Sequence, residues 1–148
     1  AHEGACLLDE IISELGRAVI HPREQDSSIA TYTRKFTKED GAVNWEEPAL
    51  SVCNKIRAFS RWPIAYSFIR DKRVQLLRAS VIACGHVDDE PARIVNISKE
   101  GFVDVQAGVD RVRIFDVQPA GKPPMSAFAF TLGNGVARGD RFQGGSVC

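Results

Sequence analysis

Hydrophobic residues change their spacing along the chain at about residue 63. Before that point they recur every three or four positions in two stretches, which is the period of an amphipathic helix. The first stretch, residues 3–19, places on one face Leu7, Leu8, Ile11, Ile12 and Leu15. The second, residues 46–59, does the same with Ala49, Val52, Cys53, Ile56 and Phe59. The spacing therefore predicts two helices, separated by a polar, non-periodic connector at residues 21–41.

Short strands are predicted after Pro63, which stops the second helix. Five runs rich in Val, Ile, Phe and Tyr cover residues 65–70, 73–83, 92–98, 102–108 and 111–117, with turn sequences between them. Ser126 suits the start of a brief helix that Gly133 would end, and residues 137–142 fit one last short strand. The predicted fold class is mainly β with flanking helices, as a small five- or six-stranded antiparallel barrel like the oligonucleotide-binding (OB) fold.

The charged residues are distributed unevenly, with an excess of cations in the middle of the chain. The 148 residues carry no net charge, but residues 31–78 contain ten Lys and Arg against five Asp and Glu, whereas residues 1–30 contain two against six. A basic segment of this kind attracts polyanions such as nucleic acid. A solvated cationic face is the alternative, and both interpretations stay open at this point.

Candidate chemistry is sparse. The sequence has no P-loop, no GxGxxG and no recognisable nucleophile motif, and His2, His21 and His86 stand far apart. The four cysteines form no CxxC pair, so we expect no metal site and a reducing, cytoplasmic setting. No apolar run approaches the length of a membrane span. Because no complete active site is evident, the sequence favours a binding role. The cations that could contact the phosphates of a nucleic acid are Arg57, Arg61, Arg70, Lys72 and Arg73.

Particular segments resemble a known family. Residues 32–49, 56–68 and 117–127 are similar, in order and spacing, to the C-terminal domain of methionyl-tRNA formyltransferase. The most specific elements are Arg-Ala-Phe-x-x-Trp-Pro, which begins at Arg57, and Gln-Pro-Ala-Gly-Lys-x-x-Met, which begins at Gln118. The resemblance implies three parts: residues 1–20 as the terminal helix of a missing N-terminal catalytic domain, 21–41 as a linker, and 42–148 as an OB-like, tRNA-binding domain.

The resemblance also implies a reaction and its partners. In this family a formyl group passes from 10-formyltetrahydrofolate to the amino group of methionine on initiator tRNA, and the chemistry lies in the N-terminal domain. We therefore expect no catalytic, cofactor-binding or metal-binding residue in this chain, and no activity from the chain alone. The expected partners are initiator methionyl-tRNA and the N-terminal formyltransferase domain of the same polypeptide, with no membrane, as a monomer in the cytoplasm or an organellar matrix.

Residue by residue, the resemblance assigns tRNA binding to a set of cations. Phosphate contact is their expected role, although each could instead be a solvated surface residue. The set is Arg34, Lys35, Lys38, Arg57, Arg61 and Lys122. By contrast, Trp45, Trp62 and Pro63 also match the family but are expected to pack in the interior.

Departures and alternatives remain. Asn44 stands where the family usually has Asp, Arg61 adds a charge before Trp-Pro, and no glycine follows Pro91. One alternative is a stand-alone nucleic-acid-binding module that reuses the barrel. Another is the C-terminal domain of a different folate-dependent formyltransferase that acts on a small molecule. The start at Ala1 rather than Met is explained either by removal of the initiator or by a longer parent protein.

Overall fold

The computed structural model describes residues 2–15, 24–85 and 89–144. They belong to two compact units, which divide between Arg34 and Lys35, inside the predicted connector. In the first unit, helix α1 (His2–Leu15) carries the predicted apolar stripe, whose five large side chains are 44–58 % exposed. A turn of 3-10 helix follows at Ser27–Ile29, where the Asp26 carboxylate accepts the N–H of Ser28. Positions 16–19 of the predicted helix lie outside the described residues.

A curled antiparallel sheet of six strands organises the second unit and confirms the predicted fold class. The strands are β1 (Tyr66–Ile69), β2 (Lys72–Ile82), β3 (Ile94–Ile97), β4 (Val103–Gln106), β5 (Arg111–Pro119) and β6 (Met125–Ser126). Their order in the sheet is β1-β2-β5-β4-β3, with β6 paired to β5. Register shifts in the long β2–β5 pair mark bulges, which let a sheet of short strands curl into a half-barrel.

Residues 139–143, which we call the closing segment, join the two edges of this sheet. Gln143 forms a bridge with Phe68 of β1, and Arg141 forms one with Arg93, just before β3. The strand predicted at 137–142 is therefore wrong as a continuous strand, because the segment pairs through isolated bridges.

The turn after Pro91 takes a backbone conformation that glycine favours, although the residue there is alanine. Ala92 has a φ of 70° and is buried. Its N–H donates to the Gln106 carbonyl at 2.8 Å, and its carbonyl accepts from the Phe142 N–H at 2.9 Å. These two hydrogen bonds hold the turn against the local preference of alanine.

Two helices pack against the sheet, α2 (Ala49–Ala58) and α3 (Ala127–Asn134). α2 starts three residues later than predicted, directly after Pro48. The Ser126 hydroxyl caps α3 as predicted, since it accepts the Ala129 N–H at 3.2 Å. The predicted end at Gly133 is wrong, because α3 continues to Asn134 and Gly135, with a φ of 63°, supplies the left-handed residue.

The core lies between the concave face of the sheet and these helices. Pro63 and Trp45 are buried, as predicted. The Trp45 indole N–H donates to the Ser67 hydroxyl at 3.0 Å, and that hydroxyl donates to the Gln143 carbonyl at 2.8 Å. Ser67 therefore connects the core tryptophan to the closing segment.

We predict that Ser67→Ala lowers the free energy of unfolding by about 1–3 kcal/mol, because it leaves a buried indole N–H without an acceptor. Ser51→Ala, at an exposed position of α2, is the control and should change it by less than about 0.5 kcal/mol. Denaturant unfolding measures both values. Equal losses in the two variants would contradict the role given to the Ser67 hydroxyl.

Candidate nucleic-acid interface

We give the name Tyr66 face to the side of the β1–β2 hairpin that carries Tyr66, which is only 5 % exposed, and the half-buried Phe68 and Arg73. Ser67 and Ile69 are fully buried, so the alternation of β1 sends Tyr66 and Phe68 to the opposite side. Phe68 pairs with Arg73 across the hairpin, and the Arg73 guanidinium lies 3.9 Å from the centroid of the Tyr66 ring. The two rings meet edge to face at 5.7 Å. The hairpin thus holds one arginine against an aromatic support.

The turn that follows Lys38 contacts this face through a tight backbone approach at Gly41. Lys38 is exposed and immediately precedes a 3-10 turn, Glu39–Gly41. A Cβ at residue 41 would overlap the Ile64 carbonyl and come within 3.2 Å of the Tyr66 ring. Only glycine lets the chain pass this close, so the Lys38 turn is seated against Tyr66.

Lys122 is connected to the same arginine by hydrogen bonds. The Ala120 N–H donates to the Arg73 carbonyl at 3.3 Å, and the Lys122 N–H donates to the Pro119 carbonyl at 3.1 Å. The Gln118 amide donates to the Lys122 carbonyl at 3.0 Å. These bonds fix a turn that presents an exposed Lys122 beside the start of β2. We refer to Lys38, Arg73 and Lys122 as the basic strip.

Arg61 and Trp62 lie in the loop between α2 and β1, and both are exposed. The predicted packing role of Trp62 is wrong, since its side chain is 57 % exposed. The loop follows Phe59, whose ring meets that of Phe36 edge to face at 5.0 Å. Phe36 therefore ties the residues before Lys38 to the C-terminal end of α2, next to this loop.

Arg57 stands on a different side of α2 from the basic strip. The Lys55 ammonium donates to the Ala42 carbonyl at 2.9 Å, so that side of the helix faces residues 36–42. Arg57, two residues further on, points about 200° away around the helix axis. It donates to the Asn54 side chain at 3.2 Å and lines, with Arg78 of β2, an open groove of about 380 Å³. The candidate cations thus occupy two regions of the barrel.

Ion pairing separates four of the candidate cations from five arginines of the barrel. Among the described residues, no carboxylate makes an ion pair with Lys38, Arg57, Arg61 or Lys122. Five other guanidinium groups meet carboxylates at 2.6–3.1 Å, in the pairs Arg70–Asp140, Arg78–Asp116, Arg111–Asp89, Arg113–Asp104 and Arg141–Glu90. Arg34 ends the first unit and Lys35 begins the second, and both are exposed.

Other kinds of site find little support in the part of the chain that the structure describes. No group of three or more His, Cys, Asp or Glu side chains comes together there in a way that could hold a metal ion. Within the same residues, no helix is long and apolar enough to cross a membrane.

Comparison with known families places this surface in context. The profile of the family described as "Formyl transferase, C-terminal domain" matches residues 35–135, which make up most of the second unit. The chain belongs to the formyl transferase C-terminal domain family. Within the family, the first described unit precedes the matched region, and the basic strip lies inside it.

Several relatives of this formyl transferase domain carry the name methionyl-tRNA formyltransferase. The one from Chloroflexus aurantiacus is 37 % identical over 88 % of this chain and 42 % of its own length. Those from Magnetococcus marinus and Acidithiobacillus ferrooxidans are 34 % and 35 % identical, over 96 % and 99 % of this chain and 44 % of their own lengths. The chain therefore spans less than half the length of these curated relatives.

A solved structure shares the fold of this formyl transferase domain at lower sequence identity. It is HypX from Aquifex aeolicus, determined in complex with tetrahydrofolic acid, with a TM-score of 0.56 and 22 % identity. The match covers 88 % of this chain and 22 % of HypX. It supports the fold alone.

The groove beside Arg57 is also lined by Cys53, and the environment of its thiol predicts how readily it ionises. Burial raises the pKa of the Cys53 thiol to about 11. Because the thiolate is the reactive form, we predict that maleimide modifies Cys53 at pH 8 roughly a hundredfold more slowly than the exposed Cys84. The Cys53 rate should rise about tenfold per pH unit from pH 8 to 10.

Variants that retain one cysteine each provide the measurement, with Ser at the other three positions. The Cys84-only variant is the control for reagent stability at high pH. Comparable rates for the two thiols at pH 8 would show that Cys53 is open to solvent and that the groove is wider than described.

Proposed function

We propose that this chain is the tRNA-binding C-terminal part of a methionyl-tRNA formyltransferase. The observation that carries the proposal is the basic strip, in which cations without a carboxylate partner among the described residues stand on a rigid barrel. The names of the relatives, and their similarity across most of this chain, support the same assignment.

Phosphate contact is the chemistry proposed for this surface. Lys and Arg neutralise backbone phosphates and release counterions, which gives affinity and orientation without reading bases. The proposed contacts are Arg34, Lys35, Lys38, Arg57, Arg61 and Lys122. Because Arg57 lies in the groove beside β2, it contributes only where the RNA also extends past α2.

The formyl transfer itself is proposed to take place outside this chain. In the parent protein, 10-formyltetrahydrofolate donates the formyl group and the amino group of methionine on initiator tRNA accepts it, within an N-terminal domain. The barrel holds the tRNA so that the end of the tRNA that carries methionine reaches the N-terminal domain. The parent is proposed to act as a monomer in the cytoplasm or an organellar matrix.

The division of the chain follows from the same proposal. Residues 1–20 are proposed as the last helix of the catalytic domain, 21–41 as the linker and 42–148 as the OB-like domain. The exposed apolar stripe of α1 supports this, because such a stripe needs a protein partner, and the absent half of the parent would supply one. That the relatives are more than twice as long as the matched region agrees with such a partner.

We predict that replacing Arg34, Lys35 and Lys38 with Ala weakens binding to initiator tRNA and flattens the dependence of log Kd on log salt by up to about three. The charge-matched control replaces Arg93, Lys99 and Arg138, three exposed cations away from the basic strip. Fluorescence anisotropy over a salt series measures both slopes.

The outcomes of that titration separate the alternatives. A steep wild-type slope with an unchanged slope in the first variant would remove those three residues from the interface. Weak, salt-independent binding by the wild type would instead favour a small-molecule formyltransferase domain. Equal affinity for any single-stranded RNA would favour a stand-alone nucleic-acid-binding module.

We also predict that the isolated chain transfers no formyl group to methionyl-tRNA in the presence of 10-formyltetrahydrofolate, because the proposed catalytic domain lies outside it. Acid-stable formyl-methionine on the tRNA is the readout. The full-length enzyme from Chloroflexus aurantiacus serves as the positive control. Turnover by the isolated chain would contradict the division of labour between the two domains.

A further inference from the structure

Arg73 is a half-buried cation to which no described residue offers a hydrogen-bond acceptor. Its Nε atom is completely buried and has no acceptor. Across the described ranges, no carboxylate or carbonyl accepts a hydrogen bond from its guanidinium. The guanidinium instead makes a cation–π contact with Tyr66, at 3.9 Å from the centroid of the ring. Burying the Nε N–H without an acceptor costs free energy. The two Nη atoms are not buried in this way and have no acceptor among the described residues, so they can receive an anion from outside.

Arg78, on the same strand, shows what a complete site for an arginine looks like in this fold. Its guanidinium lies over the Phe115 ring at 4.5 Å, and its Nε donates to the Asp116 carboxylate at 2.6 Å. Arg113 of β5 has the same two contacts, a ring and a carboxylate, through Phe102 and Asp104. Arg73 has the ring and lacks the carboxylate.

Acidic residues do stand in the turn next to Tyr66. Glu39 and Asp40 belong to the turn that Gly41 seats against the ring. Asp40 accepts the Thr37 N–H at 2.7 Å, and neither carboxylate is paired with Arg73. The turn that follows Lys38 thus packs on Tyr66 while leaving the Arg73 guanidinium without a counter-ion from the described residues.

We infer that Arg73 is a phosphate-binding residue of the basic strip, and that its Nη atoms contact a backbone phosphate of the bound RNA. The inference rests on the proposed function. The Tyr66 ring holds the guanidinium plane, and the two Nη atoms can form the paired hydrogen bonds that suit a phosphate. Lys38 and Lys122 act beside it as point charges.

The experiment compares Arg73→Gln with Arg78→Gln in the full chain. Both replace an arginine of β2 that lies over an aromatic ring, but only Arg73 lacks a carboxylate. We expect Arg73→Gln to weaken binding to initiator tRNA about tenfold or more and to lower the salt slope by about one. Arg78→Gln should stay within about twofold of wild type, because its charge is already neutralised.

Thermal unfolding without RNA distinguishes this role from a structural one. Removing a guanidinium that has no acceptor should leave the Tm of Arg73→Gln within about 2 °C of wild type, or raise it. Arg73→Lys keeps the charge but loses the paired donors, so it should recover the salt slope and only part of the affinity.

Each outcome bears on a different claim. Wild-type binding and slope in Arg73→Gln would overturn the inference and leave the proposed function standing. Unfolding of Arg73→Gln well below the wild-type Tm, with Arg73→Lys equally unstable, would assign Arg73 to the scaffold and also overturn it. A wild-type chain that binds tRNA without salt dependence would contradict the proposed function, and the inference that rests on it.

Discussion

The close approach of Gly41 to Tyr66 fixes the backbone turn that follows Lys38 against the barrel. The chain crosses the Tyr66 ring and the Ile64 carbonyl at a distance that leaves no room for a side chain. A hydrogen bond from the Val43 N–H to the Tyr66 carbonyl at 2.9 Å holds it there. Lys38 therefore belongs to a backbone segment that packing holds in place, and not to a flexible linker. Cations that are already in place lose less conformational entropy when they meet a rigid polyanion.

The basic residues of the barrel fall into two groups, those in ion pairs and those without a carboxylate partner among the described residues. Five arginines are neutralised by carboxylates within 3.1 Å, so their fields largely cancel. Such surface pairs add little stability. The cations without a carboxylate partner among the described residues include those of the basic strip as well as Arg57 and Arg61, although the chain as a whole has no net charge. Neutral composition and a local cationic surface are thus compatible in one small domain.

Spacing of hydrophobic residues was enough to predict β1 to β5 and α2, and the serine at position 126 was enough to predict the cap of α3, because burial and hydrogen bonding act within a few residues there. The short strand β6 was not predicted. Other features depend on neighbours that are distant in sequence. Gly133 and Gly135 are equally plausible helix ends until the hydrogen bonds are known. Trp62 is apolar and matches a packing role, yet no described segment covers it. Arg73 appeared only as one basic residue among several, since its lack of an acceptor is a property of the folded hairpin.

The closing segment makes the barrel depend on residues near its end. Before residues 139–143 are in place, the outer edges of β1 and β3 lack the bridges at Phe68 and Arg93 and present free N–H and carbonyl groups. Exposed strand edges are templates for pairing with other chains. Residues 139–143 follow every strand of the sheet in the sequence, so both edges stay unpaired at these positions until this one segment has packed. A single short segment therefore covers two strand edges at once, and its detachment would expose both to pairing with other chains.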